Sequence, residues 1–381
     1  MRLSRRGKLG VAGLLTSVLI VFFASHYVQL SLMEHVSLKT FLVRMIASSQ
    51  NLNTSSPMYG SFFNASWLTM EAVDILNILG ALDCVDTDAV MQFLAGPGHA
   101  GPVDRPIQYG AKYSVDSAFL IAHTASVMER LGELPSTLID KIRETVIANQ
   151  NSTSRNNLFW RAHRTFLFET ARLMNATEYV NSTLQKREIL DDIVDRIWQE
   201  DVFHILHNLR ALEELYRIET GHSNIALEYA MTDATRNMIE FYILSLWDDS
   251  RYGFYESVAE SSRARAEGRL AATYQAIHSY MELSGLWVCP EKDALQMKVG
   301  SQFDRVLTFL SKCQNRYGIF FDKPSEASDK ANSLEIWPTF NAIMLLDYID
   351  RLDFLNQTVR WPPNPTLIES LTDQFINAMH L

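Results

Sequence analysis

The sequence predicts an all-α chain: a run of about six helical hairpins behind an N-terminal transmembrane signal anchor. Three observations predict it. After residue 38, apolar residues recur at helical spacing in nearly every window, as in Thr69–Leu79, Val115–Leu131, Val202–Leu215, Ala271–Leu283 and Thr339–Ile349. No stretch sustains the period-two alternation of a half-buried strand, so strand content should be low. The punctuation also repeats: helix starts fall about 43–46 residues apart, within the range of repeat architectures.

The N-terminus comes first. Residues 1–8 carry four basic side chains (Arg2, Arg5, Arg6, Lys8) and no acid, and Leu9 to Val28 contains no Asp, Glu, Lys or Arg. About 20 apolar residues span a bilayer as a helix. A cleaved signal peptide is the competing reading, but its apolar core is about 7–15 residues, and a cut after Ala24 or Ser25 would put Phe22 or Phe23 at the −3 position. The expected organisation is a short cytoplasmic tail (1–8), a signal anchor (9–28) and a lumenal domain (38–381), with the flanking positive charge held in the cytosol. That describes a single-pass type II membrane protein of the secretory pathway, whether of the endoplasmic reticulum, the Golgi or the cell surface. Six Asn-x-Ser/Thr sequons, at Asn53, Asn64, Asn151, Asn175, Asn181 and Asn356, all lie C-terminal to the apolar segment, where such a protein is glycosylated.

Composition narrows the partners. With 34 basic and 44 acidic residues the chain has a formal charge of −10 and repels phosphate backbones, so no nucleic-acid partner is expected. The expected partners are the membrane, through the anchor, and an unidentified lumenal ligand or protein. Gly (16) and Pro (11) are too few for a disordered or fibrous chain. Three cysteines permit one disulfide; Cys289 and Cys313, near the ends of neighbouring hairpins in an oxidising lumen, are the expected pair, leaving Cys84 as a buried thiol.

The hairpins follow one grammar. A helix ending near Gln50 leads to Tyr59-Gly60-Ser61-Phe62 and a helix from Leu68-Thr69 to Leu79-Gly80. Phe93-Leu94 leads to Tyr109-Gly110 and a helix from about Tyr113 to Leu131-Gly132. Ile243–Leu246 leads to Tyr252-Gly253-Phe254 and Ala272-Thr273-Tyr274. The last copy runs from Phe309 through Tyr317-Gly318 to Pro338-Thr339-Phe340, and helices near Leu158–Leu173 and Asp201–Tyr216 fill the gap. A hairpin cannot bury both its faces alone, so neighbours stack and the array either spirals or closes. Glycine in the loop permits a positive φ at the reversal.

The segments FLSKCQNRYGIFFDKP (309–324) with EIWPTFNAIMLL (335–346), and RYGFYES (251–257) with RLAATYQAIHSYMEL (269–283), resemble the repeat of protein prenyltransferase β-subunits and of squalene and oxidosqualene cyclases. The resemblance covers about four of six repeats. It implies an α/α toroid whose inner-helix N-termini look into a central cavity. That fold also serves glycoside hydrolases and lyases, vitamin-B12 carriers, complement thioester domains and an oligosaccharyltransferase subunit, so it does not choose the function.

The chemistry of the resembled enzymes is not matched. Their zinc site needs Asp-x-Cys on an inner-helix start; here Asp83-Cys84 sits at the end of an inner helix instead. Asp86-Thr87-Asp88 is too short for the cyclase acid. Asp191-Asp192-x-x-Asp195 has the spacing of a Mg²⁺-diphosphate motif, but it falls on an outer helix, where a solvated acidic face is the favoured reading. His204 and His207 share a helix face, a spacing common by chance. HExxH, GxSxG, a Walker A loop and GCGEQ are absent. Neither a metal site nor a cofactor is expected.

The inner-helix starts remain. The resemblance places Trp67, Thr69, Arg161, His163, His204, Arg269, Tyr274 and Trp337 near the cavity, where aromatics with a few charges suit a sugar, a peptide or an amphiphile. Glu71, Asp116 and Glu335 are the candidate acid/base carboxylates. Capping and filling of the ring's centre is the competing role for all of them. Two functions are therefore expected: a toroid that binds a ligand or protein partner without prenyl-transfer chemistry, or a lumenal carbohydrate-active hydrolase or lyase using the cavity carboxylates.

Overall fold

A computed structural model describes residues 35–56, 58–63, 65–95, 115–149, 158–198, 201–221, 231–263, 266–283, 292–327 and 336–360. The expected anchor at 9–28 lies outside them; no helix among the described residues is long and apolar enough to cross a membrane. Among the described residues helix dominates, with fourteen α-helices, and the strands are one antiparallel pair, β1 (His35–Ser37) and β2 (Thr358–Arg360), with His35 opposite Arg360.

The chain forms two compact units. The described part of the smaller one (residues 35–41, 316–318 and 355–360) is the strand pair, extended by the bond from the Leu38 amide to the Gln357 carbonyl at 2.8 Å.

The larger unit spans Leu42–Asn315 and Ile319–Phe354. Its helices alternate in role. In chain order they are α1 (Leu38–Ser48, whose first turn belongs to the smaller unit), α2 (Ser66–Ile78), α3 (Thr87–Ala95), α4 (Val115–Val127), α5 (Ser136–Asn149), α6 (Leu158–Leu173) and α7 (Ser182–Arg196). Then follow α8 (Val202–Thr220), α9 (Asp233–Ser245), the single turn α10 (Val258–Ser261), α11 (Leu270–Leu283), α12 (Lys292–Val299), α13 (Asp304–Lys312) and α14 (Ile336–Tyr348).

Six of these contact one another in a cycle: α2 on α4, α4 on α6, α6 on α8, α8 on α11, α11 on α14, and α14 back on α2. Burial explains their composition. α4 buries Val115, every residue from Ser117 to Ala122, and Thr124 and Ala125, as a helix surrounded by others must. The second set packs behind: α3 and α5 on α4, α5 on α6, α7 on α8, and α9 on α11. These are one-sided, as in α5, where the buried residues Ile142, Thr145, Val146 and Asn149 share one face.

The hairpin grammar has a common geometry. In three copies the second residue past the outer helix bridges the aromatic one or two positions after the glycine: Gln50 to Phe62, Trp247 to Phe254, and Gln314 to Phe320. Gly60 and Gly318 take the expected positive φ, +87° and +89°. The third copy differs. There Tyr252 carries the positive φ (+71°), and Gly253 is required for space, since a Cβ at that position would meet the Phe309 ring at 2.6 Å.

The helix ends carry a second repeat that the sequence hides. Gly80, Glu129, Asn175 and Asp350 all take a left-handed conformation just after α2, α4, α6 and α14. The next amide in each case, from Ala81, Arg130, Ala176 or Arg351, reaches a carbonyl five residues back (Leu76, Ala125, Ala171, Leu346) at 2.7–2.8 Å. A 3₁₀ turn follows every time. Helix α4 therefore ends at Val127 rather than at Leu131-Gly132, because Glu129 makes the reversal and Gly132 falls in the 3₁₀ turn.

Of the sequons, Asn53, Asn175, Asn181 and Asn356 are exposed, while Asn64 and Asn151 lie outside the described residues. Cys313 is fully buried, which pushes its thiol well above the ordinary range; its expected partner Cys289 lies outside the described residues. Cys84 is exposed rather than buried, because it sits in the 3₁₀ turn that follows α2.

Candidate functional site

Among the described residues, a cavity of about 600 Å³ is lined by side chains from all six helices of the cycle. Most of the lining comes from the N-terminal halves of these helices, with Asp74, His123, Phe166 and Met344 reaching it from just past the midpoints. The second residue of four of them, Trp67 in α2, Asp116 in α4, Phe203 in α8 and Trp337 in α14, contributes to the wall.

Most of the wall is apolar. Phe119 stacks on Phe166 with centroids 4.3 Å apart, and Trp67 lies 5.6 Å from Phe166 and 6.5 Å from Phe119. Phe203 meets His207 at 4.2 Å. Met70, Phe340 and Met344 complete this surface. Trp67 and Trp337 keep 38% and 42% of their surface exposed, which is high for rings of this size in a helical core.

The polar groups form three sets. In the first, His123 on α4 is clamped between two carboxylates: Nδ1 lies 2.8 Å from Glu169 Oε1 and Nε2 lies 3.1 Å from Asp74 Oδ1. Burial disfavours its charged form, yet Asp74 and Glu169 together raise the imidazole to about 10. Burial pulls Glu169 the other way, but His123, Arg210 and Arg172 outweigh it and hold this carboxyl at about 2.

The second set consists of imidazoles held by carboxylates. His163 Nε2 is 2.8 Å from Asp116 Oδ1, and His204 Nδ1 is 2.7 Å from Asp201 Oδ1. Asp201 also caps α8 by accepting the His204 amide at 3.0 Å. His207 is driven well below the usual imidazole range, first by burial and then by Arg210 and the neighbouring histidines. Arg210 itself lies 3.8 Å from Glu169.

The third set is a single residue. Glu71 is 4% exposed, and its Oε2 is buried with no hydrogen-bond partner. Burial, and then the nearby Asp74, raise this carboxyl to about 7. Asn341 Oδ1, also on the wall, is likewise buried without a partner.

Of the residues expected at the cavity, Trp67, Glu71, Asp116, His163, His204, Tyr274 and Trp337 line it. Burial raises the Tyr274 hydroxyl to about 12. Arg269 does not: it precedes α11 and pairs with Glu256 (3.3 Å), Glu260 (3.2 Å) and Asp322 (3.6 Å), where it ties loop segments together. Thr69 is spent on structure, its hydroxyl tied between the Phe62 amide and the Ala65 carbonyl. Glu335 and the Arg161 side chain lie outside the described residues.

Asp74, His123, Arg210, Phe119 and Phe166 were not singled out by sequence. Asp74 follows Glu71 by one helical turn, so the shared face was the available signal. His123 gave none, since its two partners are 49 and 46 residues away.

The acidic motif on α7 stays outside this constellation. Asp191 pairs with Arg187 at 3.9 Å and Asp192 with Arg196 at 3.7 Å, both along the helix. Among the described residues no group of three or more His, Cys, Asp and Glu side chains is placed to hold a metal ion. No protein-family model matches the chain, and no curated protein shows significant similarity to it.

Proposed function

We propose that this chain is a membrane-anchored α/α toroid of the secretory pathway that binds a small amphipathic molecule in its central cavity. The cavity supports this reading: six helices contacting in a cycle wall off about 600 Å³, within the size range of small-molecule sites. Its rings offer flat apolar faces, and Glu71, Asp74, Asp116, His163, Gln275 and Asn341 offer a mixture of donors and acceptors. That combination suits a ring-shaped molecule bearing hydroxyl groups better than a purely apolar chain, which would leave the polar groups unpaired.

The charges favour a neutral ligand. Asp74, Glu169, His123 and Arg210 compensate one another. The resemblance to prenyltransferase and cyclase repeats supports the toroid without importing their chemistry. The apolar run from Leu9 to Val28 and the four exposed sequons support the anchor and the lumenal placement.

Native mass spectrometry of the full chain, made in eukaryotic cells, extracted in detergent and deglycosylated, tests the reading. A retained non-covalent mass that is lost in Trp67→Ala and Trp337→Ala supports it. A bound mass indifferent to both substitutions, or an empty chain after incubation with a pool of sugars and amphiphiles, counts against it.

A further inference from the structure

An unpaired, buried carboxyl facing a cavity is costly unless a ligand completes it. Glu71 is such a group, and Asp116 stands on the neighbouring helix of the same wall with His163 against one of its oxygens. The remaining acid, Asp74, is committed to His123, so the two carboxylates Glu71 and Asp116 have different surroundings. Two carboxyl groups in unlike environments can divide acid from base.

Resting on the cavity reading above, we propose that the site is catalytic and hydrolyses a glycosidic bond, with Glu71 as proton donor, Asp116 as base and His163 as the positioning residue for Asp116. Glu71 gives its proton to the bridging oxygen as the bond from that oxygen to the anomeric carbon breaks. A water molecule attacks the anomeric carbon, and Asp116 takes its proton. The products are two hydroxyl-bearing fragments; Glu71 is left ionised and Asp116 protonated, and exchange with solvent resets both.

Three features select a sugar. The exposed rings of Trp67 and Trp337 can each cover the apolar face of a pyranose. Bond cleavage develops positive charge on the sugar, and aromatic faces together with the Asp116 carboxylate stabilise positive charge. Finally, burial pushes the Glu71 carboxyl up to about 7, which keeps its proton available to near neutral pH, as a general acid requires.

The test uses the full chain in detergent with panels of 4-nitrophenyl and 2,4-dinitrophenyl α- and β-glycosides of hexoses and N-acetylhexosamines. Hydrolysis of at least one 4-nitrophenyl glycoside is expected, with an alkaline limb in kcat/KM near pH 7. Glu71→Gln should lower kcat/KM for that substrate about 100-fold, and much less for its dinitrophenyl counterpart, whose departure needs no proton. Asp116→Asn should impair both. Equal losses on the two leaving groups in Glu71→Gln overturn its role as acid. Should that variant not fold, the wild-type profile decides, and absence of the limb near pH 7 overturns the assignment. A chain that retains a bound molecule in native mass spectrometry yet turns over no glycoside overturns catalysis and leaves binding standing. A chain that neither binds nor hydrolyses fails both readings.

Discussion

Thr69 and Thr273 do the same work in two distant repeats. Each hydroxyl accepts the backbone amide of the loop aromatic, Phe62 or Phe254, at 3.0 Å, and donates to the carbonyl four residues back, Ala65 or Arg269, at 2.6 Å. Both amides are buried, so the hydroxyl supplies a partner that neither helix nor strand provides there. The position explains why the grammar pairs a Gly-aromatic loop with a threonine in the next helix.

Removing either hydroxyl orphans a buried amide. Thr69→Ala and Thr273→Ala should each destabilise the fold by about 1–3 kcal/mol, whereas Thr→Ser at the same sites should cost less because the oxygen stays. Chemical denaturation of the four variants reads the difference.

Glu71 should oppose folding at alkaline pH. Its carboxyl titrates at about 7 in the folded chain against an ordinary value of 4.5, so the folded state binds more protons between these values and stability falls as pH rises through them. Glu71→Gln removes that loss. It should leave stability at pH 4.5 nearly unchanged and raise it at pH 8 by about 3 kcal/mol relative to the parent.

His123 has the opposite sign. Its imidazole is raised to about 10, so the pairing with Asp74 and Glu169 contributes fully below pH 6.5 and is lost as pH rises through 10. The ring should still be an imidazolium at pH 9, which nitrogen chemical shifts would report. The cost of His123→Gln, on the order of 4 kcal/mol below pH 6.5, should shrink as pH approaches 10.

The loop glycines should rank by what a methyl group meets. Gly60 combines a φ of +87° with the Ala89 carbonyl against any Cβ, while Gly80, at φ +62°, faces open space. Gly80→Ala should cost only the left-handed strain of about 1–2 kcal/mol. Gly60→Ala should lower the melting temperature considerably more.

Much of the helical order was legible because it is written locally. The Tyr-Gly-aromatic loops and the apolar runs of α2, α8, α11 and α14 lie within single windows, and the cavity positions Trp67, Glu71 and Trp337 followed from where the helices start. Other features depend on long-range partners. Arg269 resembled its neighbours at an inner-helix start, yet Glu256, Glu260 and Asp322 converge on it from other segments. Glu129 carries no mark of a helix stop, since glutamate is a poor choice for φ +59°, and Gly132, three residues on, drew the boundary past it. His123 depends on Asp74 and Glu169 from two different helices, a relationship that no single-sequence spacing encodes.

The cycle of helices has a consequence for how this chain can vary. An open stack of hairpins can gain or lose a unit at its end and pay only one interface. Here α14 closes on α2, so every inner helix already has two neighbours and there is no free end at which to add a seventh. Deleting one hairpin would break two interfaces and demand that the remaining five meet at a new angle. Length differences between this chain and its descendants therefore belong in the connections, and the number of hairpins should stay fixed.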